Sequence, residues 1–395
     1  MTIELDMLQT MAAGIVAMLL GAWINRSVKV LQRICIPAPV TGGIVFSLVT
    51  LALYGIFGIE LSFQGTLKDI CMIVFFTSVG FQSDLSVLRK GGRPLVVMVI
   101  LVAVLIVCQN AISLGIARGC SFDPLLGMAA GSITMCGGHG TAAGFSPMFE
   151  QLGMQSAPTV LMAAATFGLL GGSLMGGPLA ERIIRRKHLH EGEQWDSTFE
   201  YRPDDNAALS AKSCAKGIYG IFLAAGLGTL VSKALALTGL NFPSYFGALL
   251  VAVVMRNVSE AIPRCPKLPV KEITSIGSIA LSLFLGMAMA SLKLWELAGL
   301  ALPLVLVLVA QAAFMLLFAR LVAFPLLGGD YDAAVMVGGL CGFGLGATPN
   351  AMANMSAVCG KYRYSTEPFI VIPIVGAMFV DLINIAVATL FLNMI

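Results

Sequence analysis

The sequence predicts an all-α polytopic membrane protein made of two inverted five-span repeats, each carrying a re-entrant Gly-rich hairpin. Three observations lead there. Of the 395 residues, 58% are hydrophobic and only 11% are charged, whereas a soluble domain carries about a quarter charged residues. Apolar runs of bilayer-spanning length recur along the chain. Two further stretches, 124–149 and 333–356, are apolar but too interrupted by glycine and polar residues for an ordinary lipid-facing helix.

The first half contains apolar runs at 8–24, 38–57, 70–87, 94–117 and 156–180, and the second at 217–236, 243–255, 273–290, 298–319 and 368–391. In each half the Gly-rich stretch falls between the fourth and fifth run. No Lys or Arg precedes Arg26. A secretory signal peptide needs a basic n-region, so the first run reads as an uncleaved span. The nine cysteines are scattered and form no CxxC pair, which indicates neither a disulfide framework nor a zinc site. The one long hydrophilic segment, 188–212, reads as a cytoplasmic polar linker between an N-terminal membrane repeat, 1–187, and a C-terminal one, 213–395.

The basic residues test this layout. With ten spans and both Gly-rich stretches leaving by the face they enter, 20 of the 24 Lys and Arg residues fall on one face. Only Lys68, Arg118, Lys233 and Lys293 fall near the other. That bias marks the basic face as cytoplasmic and places both termini outside, on the periplasmic side. Were both stretches ordinary spans instead, Arg182–Lys187 and Arg256–Lys271 would move outside and the bias would weaken.

A shift of 207 residues aligns Leu85 with Leu292, Asp123 with Asp330, Gly131 with Gly338, Gly137 with Gly344 and Thr141 with Thr348; a shift of 206 aligns Pro37 with Pro243. Each half holds an odd number of spans, so the halves sit in the membrane with opposite orientation. Inverted repeats with broken elements at corresponding positions mark a secondary transporter. An ion channel would leave the repeat unexplained.

The chemistry concentrates in the two broken stretches, GSITMCGGHGTAAGF (131–145) and GGLCGFGLGATPNAMANM (338–355). Irregular backbone survives at membrane depth only beside protein or a wet cavity. Gly137, Gly138 and Gly140, like Gly342, Gly344 and Gly346, allow tight hairpin tips that expose amide N–H groups and the start of a returning helix. Those are favourable positions for a carboxylate. Nearby carbonyls, with Thr134, Thr141, Thr348 and Asn350, are hard oxygen donors that suit a small cation. Close helix packing is the competing explanation for the glycines.

His139 is the only histidine in a membrane segment and reads as a donor to a substrate carboxylate, as a group that titrates with pH, or as a structural residue capping a loop carbonyl. Asp381 is the one carboxylate well inside an apolar run, and Asn384 lies three residues on, along one helix face. Together they could ligate Na⁺, relay a proton, or bond between helices. Asp332 opens the second stretch as a candidate helix cap, with Asp84, Gln109 and Asn110 as weaker polar candidates. No Lys or Arg lies deep in any run, so helix ends, hydroxyls, amides and a coupling cation must hold an anionic substrate. A GxSxG nucleophile setting and a Walker A motif are both absent, which speaks against an enzyme and against ATP as the energy source.

Several strings, in order, resemble the glutamate:sodium symporter family: QNAI (109–112), GSIT and GGHGT (131–141), SLFL to LKLWELA (282–298), YDAAV (331–335) and CGFGLGATP (341–349). The resemblance covers essentially the whole chain. It implies Na⁺-driven symport of L-glutamate across a bacterial inner membrane by a multi-pass, elevator-type homodimer, with the sodium ion as coupling ion, no cofactor and no nucleic-acid partner. It implies substrate contacts at Gly137, Gly138, His139, Gly140, Thr141, Gly344, Gly346, Thr348, Pro349 and Asn350, and sodium contacts among Thr134, Thr348, Asp381 and Asn384. Cys136 and Asn350 depart from the usual family pattern. Another dicarboxylate or amino acid, or H⁺ in place of Na⁺, would fit the same residues.

Overall fold

The computed structural model describes residues 2–28, 31, 36–86, 92–189, 210–239, 242–262, 267–297 and 299–395, so most of the 188–212 segment lies outside the described residues. The first half runs through β1 (Thr2–Leu5), α1 (Met7–Ser27), α2 (Ala38–Phe57), β2 (Glu60–Phe63), α3 (Thr66–Gln82) and α4 (Gly92–Gly119). It continues through the short α5 (Pro124–Ala129) and α6 (Ser132–Met135) into α7 (Gly138–Gln151) and α8 (Ala157–Arg186). The second half comprises α9 (Ala211–Ala236), α10 (Phe246–Ala261), α11 (Val270–Ala290) and α12 (Ala301–Phe318), the last prolonged to Leu326 through a π turn. Then follow α13 (Tyr331–Leu345), α14 (Thr348–Cys359), α15 (Thr366–Met378) and α16 (Val380–Leu392).

Seven of these helices are long and apolar enough to cross a membrane, and α15 with α16 makes an eighth among the described residues. Helices α3 and α10, at 17 and 16 residues, supply the two remaining expected runs. Two details correct the sequence reading. The expected run 368–391 is not one helix but a pair bent by 43° at Phe379. Pro373 and Gly376 in the turns before the bend weaken the backbone ladder there. The chain is also not purely helical, because β1 pairs in parallel with β2, Thr2 opposite Glu60. Four residues of alternation are too few to read from sequence.

Local signals explain the helix ends. Asp6 opens α1 with a capping box: the Gln9 N–H donates to Asp6 Oδ1 at 2.8 Å, and the Asp6 N–H donates to Gln9 Oε1 at 3.0 Å. Asp123 and Asp330, paired by the 207-residue shift, cap α5 and α13 by accepting from the N–H groups of Leu125 and Ala333, each at 2.8 Å. The cap of α13 is thus Asp330, not Asp332. The Asp332 carboxylate instead accepts from the Ser365 hydroxyl at 2.7 Å.

The helices pack as two bodies. One contains α1, α2, α3, α9, α10 and α11; the other contains α4 to α8 and α12 to α16. Small residues set the spacing inside the first, where a Cβ added to Gly42 would strike the Ala17 carbonyl. At one end of the bundle, Lys293 pairs with Glu60 at 2.7 Å beside the β1–β2 pair. At the other end, Asp84 pairs with Arg256 at 3.3 Å and Glu181 with Lys361 at 2.6 Å.

Helices α13 and α14 lie antiparallel. Asn354 Nδ2 donates to the Gly338 carbonyl at 3.2 Å. The Tyr331 hydroxyl donates to the Arg363 carbonyl at 2.6 Å, which ties the beginning of α13 to the chain leaving α14. The turn between them, at Gly346 and Ala347, lies against the break between α6 and α7 in the middle of the second body.

Candidate functional site

Both breaks are made by glycine at positions where a side chain has no room. Gly138 has φ +59° and begins α7. A Cβ there would lie 2.8 Å from the Gly346 carbonyl oxygen, so the two turns touch back to back. A Cβ on Gly346 would meet Gly342 O at 2.9 Å and Leu169 Cα at 3.1 Å. The contact sets the starts of α7 and α14 side by side.

A cavity of about 270 Å³ opens at this meeting point. Its polar wall is the chain from Cys136 to Thr141 and from Gly346 to Pro349. Phe75 of α3 and Leu281 and Leu285 of α11 bring the first body to it, and Leu169, Phe343, Gly376, Val380 and Asp381 complete it. The cavity therefore lies between the two bodies. Among the described residues Asp381 is the only carboxylate on its wall, and no Lys or Arg lines it.

Neither helix start is capped by a side chain: the N-cap positions of α7 and α14 are Gly137 and Ala347, and neither supplies a side-chain bond. The first N–H groups of a helix have no partner within it. In α14, Pro349 removes one of those donors, leaving the Thr348 N–H at the cavity. Two positive helix ends thus converge on one small space. Beside them, the Thr141 hydroxyl lies 3.4 Å from Asp381 Oδ1, bringing hydroxyl and carboxylate oxygens together.

His139 is buried and lines the same wall. Its Nε2 lies 3.0 Å from Thr166 Oγ1, whose own proton goes to the Met162 carbonyl at 2.8 Å. With the Thr166 proton on Met162, Nε2 is the donor of this pair and Nδ1 is free to accept.

Nine of the expected contact residues line the cavity: Gly137, Gly138, His139, Gly140, Thr141, Gly346, Thr348, Pro349 and Asp381. Four do not. The Thr134 hydroxyl is spent on the Ala129 carbonyl at 2.7 Å. Asn384 sits behind the first break, its Nδ2 donating to the Ser132 carbonyl at 3.1 Å while its Oδ1 is buried without a partner. Gly344 packs against Leu105 and Met315. Asn350 faces α8, its Nδ2 donating to Ser173 Oγ at 2.7 Å and Leu169 O at 3.0 Å.

A second set of amides holds the breaks in place. Gln109 Nε2 donates to the Gly344 carbonyl at 2.8 Å, and Cys136 Sγ lies 3.2 Å from Gln109 Oε1. Gln311 Nε2 donates to the Gln109 carbonyl at 2.7 Å. Asn110 Oδ1 accepts from the N–H and hydroxyl of Ser132, at 2.9 and 3.0 Å. Gln109 and Asn110 read from sequence only as weak polar candidates, and Gln311 was missed. Its signal was being the one polar side chain in ALPLVLVLVAQAAFMLLF. Among the described residues no cluster of three or more His, Cys, Asp or Glu side chains could hold a metal ion.

Comparison with known proteins fits this geometry. The profile of the sodium/glutamate symporter family matches residues 3–364. The sodium/glutamate symporter of Escherichia coli (strain K12) is 40% identical over 394 residues, covering 98% of both chains. That of Haemophilus influenzae is 38% identical over 385 residues, covering 96% of this chain and 95% of its own. Among solved structures, the sodium proton antiporter MjNhaP1 of Methanocaldococcus jannaschii overlaps at a TM-score of 0.44 and 14% identity, covering 99% of this chain and 98% of its own, too weak a likeness to bear on mechanism. With most of its length matched by the profile and nearly all of it by these relatives, the chain is a member of the sodium/glutamate symporter family.

Proposed function

We propose that the chain is a secondary transporter that couples Na⁺ entry to uptake of L-glutamate across a bacterial inner membrane. The observation that carries this reading is the convergence of two uncapped helix starts on a cavity whose only charged side chain, among the described residues, is Asp381. Glutamate brings a net charge of −1 to a site that already holds one carboxylate. The two helix ends offset about one unit, roughly half a charge each. One negative unit remains, and among the described residues the site has no Lys or Arg to meet it. A co-bound Na⁺ supplies the missing charge, and binding of each solute then favours the other. Thr141, Thr348, Asp381 and backbone carbonyls at the breaks are the oxygen donors within reach, while Nδ1 of His139 is an acceptor for the substrate ammonium.

The finer reading has its own support. Antiparallel α13 and α14, with the Tyr331–Arg363 bond closing their open end, fit a re-entrant hairpin. The shared capping role of Asp123 and Asp330 fits an inverted repeat. The division into two bodies, with the cavity on one and apolar side chains of the other as its lid, fits an elevator motion of the second body along the first. The grouping of Asp84–Arg256 and Glu181–Lys361 at one bundle end and Lys293–Glu60 at the other fits a layout with the basic residues inside and both termini outside. The homodimer rests on the family resemblance.

Uptake of labelled L-glutamate into proteoliposomes, under inward Na⁺, K⁺ or H⁺ gradients, tests the proposal. Na⁺ alone should drive accumulation. Equal uptake under an H⁺ gradient would overturn the coupling ion, and no glutamate uptake under any gradient would overturn the substrate.

A further inference from the structure

A second cavity, of about 290 Å³, lies far from the breaks, between the end of α8 and the π turn that prolongs α12. We propose that it binds the headgroup of an anionic phospholipid. The proposal holds whatever solute the transporter carries.

Among the described residues four cations line the cavity, Arg182, Arg186, Lys187 and Arg320, and no carboxylate does. None of the four takes part in an ion pair among the described residues. Arg185, one residue away on the other face of α8, contrasts with them. It is 2.8 Å from Glu181, and its Nε donates to the Tyr362 hydroxyl at 3.3 Å. The basic end of α8 thus divides into a neutralised face and an uncompensated one. The uncompensated face is a single stripe, because Leu179, Arg182, Ile183 and Arg186 follow helical spacing. Like charges gathered in one cleft repel, and an anionic occupant relieves that repulsion.

The opposite wall is built by the π turn. Pro325 has no N–H to continue the helix ladder, and the Phe324 N–H reaches back to Ala319, five residues away. Arg320 and Phe324 then face α8 together, and the Lys187 ammonium sits 5.0 Å from the centre of the Phe324 ring.

The apolar part of the wall selects a lipid over a free anion. Leu179, Ile183, Leu321, Phe324 and Pro325 offer nothing to a hydrated phosphate. Leu174, Leu317, Leu321 and Leu326 are all more than half exposed along the same two helices. Leu317 and Leu321 lie one turn apart on one face of α12, with Leu317 on the side of the cavity nearer the membrane interior, where acyl chains lie. A phosphate among arginines with tails on leucine is the chemistry of a phosphoglycerol lipid. The cavity lies at the bundle end of the Glu181–Lys361 pair, the end the positive-inside bias assigns to the anionic cytoplasmic leaflet.

The test is thermal unfolding of the purified full chain in a neutral detergent with added phosphatidylglycerol, phosphatidylcholine or inorganic phosphate. Phosphatidylglycerol should raise the melting temperature by a few degrees and the other two should not. Arg320→Gln should lose that rise, whereas Arg185→Gln, with the same change in net charge, should keep it. Native mass spectrometry of the wild-type chain gives a second readout that needs no variant: phosphatidylglycerol adducts should outlast phosphatidylcholine adducts under collisional activation. Equal stabilisation by both lipids, an equal rise with inorganic phosphate, an Arg320→Gln response identical to that of Arg185→Gln, or equal persistence of both adducts would each overturn the proposal.

Discussion

The Thr141 hydroxyl lies 3.4 Å from the Asp381 carboxylate, joining the first turn of the helix after one break to a helix 240 residues further along the chain. Through this contact a carboxylate of the cavity wall and the first uncapped helix start become parts of one site. Asp381→Asn keeps the shape and removes the charge. It should raise the Na⁺ concentration giving half-maximal uptake by about tenfold or more, a loss of at least about 1.4 kcal/mol of ion binding. Uptake measured against Na⁺ concentration checks this, and an unchanged curve would take Asp381 out of the ion path.

Gly138 is the point where the two breaks touch. Its left-handed φ of +59° costs a residue with a Cβ about 1–2 kcal/mol, and that Cβ would lie 2.8 Å from the Gly346 oxygen. Gly138→Ala should lower thermal stability and depress uptake more than stability alone explains. Gly177 on α8 has nothing within 4 Å of its Cβ position, so Gly177→Ala should leave uptake unchanged and should not lower stability.

Gln109 supports the second break from behind by donating to the Gly344 carbonyl at 2.8 Å. Gln109→Leu fills nearly the same space but takes away that donor. Leaving buried polar groups short of partners should cost about 1–3 kcal/mol, visible as a lower melting temperature. Glutamate affinity should fall less than in variants of the cavity wall, because Gln109 does not line the cavity.

At the end of the bundle marked by the β1–β2 pair, Lys293 sits in the loop after α11, 2.7 Å from Glu60. The bond to Glu60, and the charges of Glu60, Glu296 and Glu150, hold its pKa above the ordinary lysine value against the opposing effect of burial. A raised folded pKa contributes stability that is fully present below the unfolded value and is lost as pH rises through the folded one. Wild type should therefore be more stable than Lys293→Met at neutral pH, with the difference shrinking above about pH 10.5. The pair is partly exposed, which limits its worth to about 0.2–1 kcal/mol. Melting curves of both proteins from pH 7 to 11 check the sign.

By itself the sequence determined where the helical runs and the two breaks fall. These follow from composition over twenty-residue windows and from local glycine and proline chemistry, which need no neighbour. Asp381 was likewise legible, because a carboxylate inside an apolar run stands out wherever it packs. Tertiary structure alone decided which polar groups of the breaks face the cavity. Thr134, Asn350 and Asn384 share the composition of Thr141 and Thr348, yet their hydrogen bonds turn them towards Ala129, Ser173 and Ser132. The clamp of Gln109 on Gly344 and the unpaired basic face of α8 have the same origin. Each depends on contacts between segments far apart in the chain, and one-dimensional spacing carries no information about which of several similar oxygens a distant donor will reach.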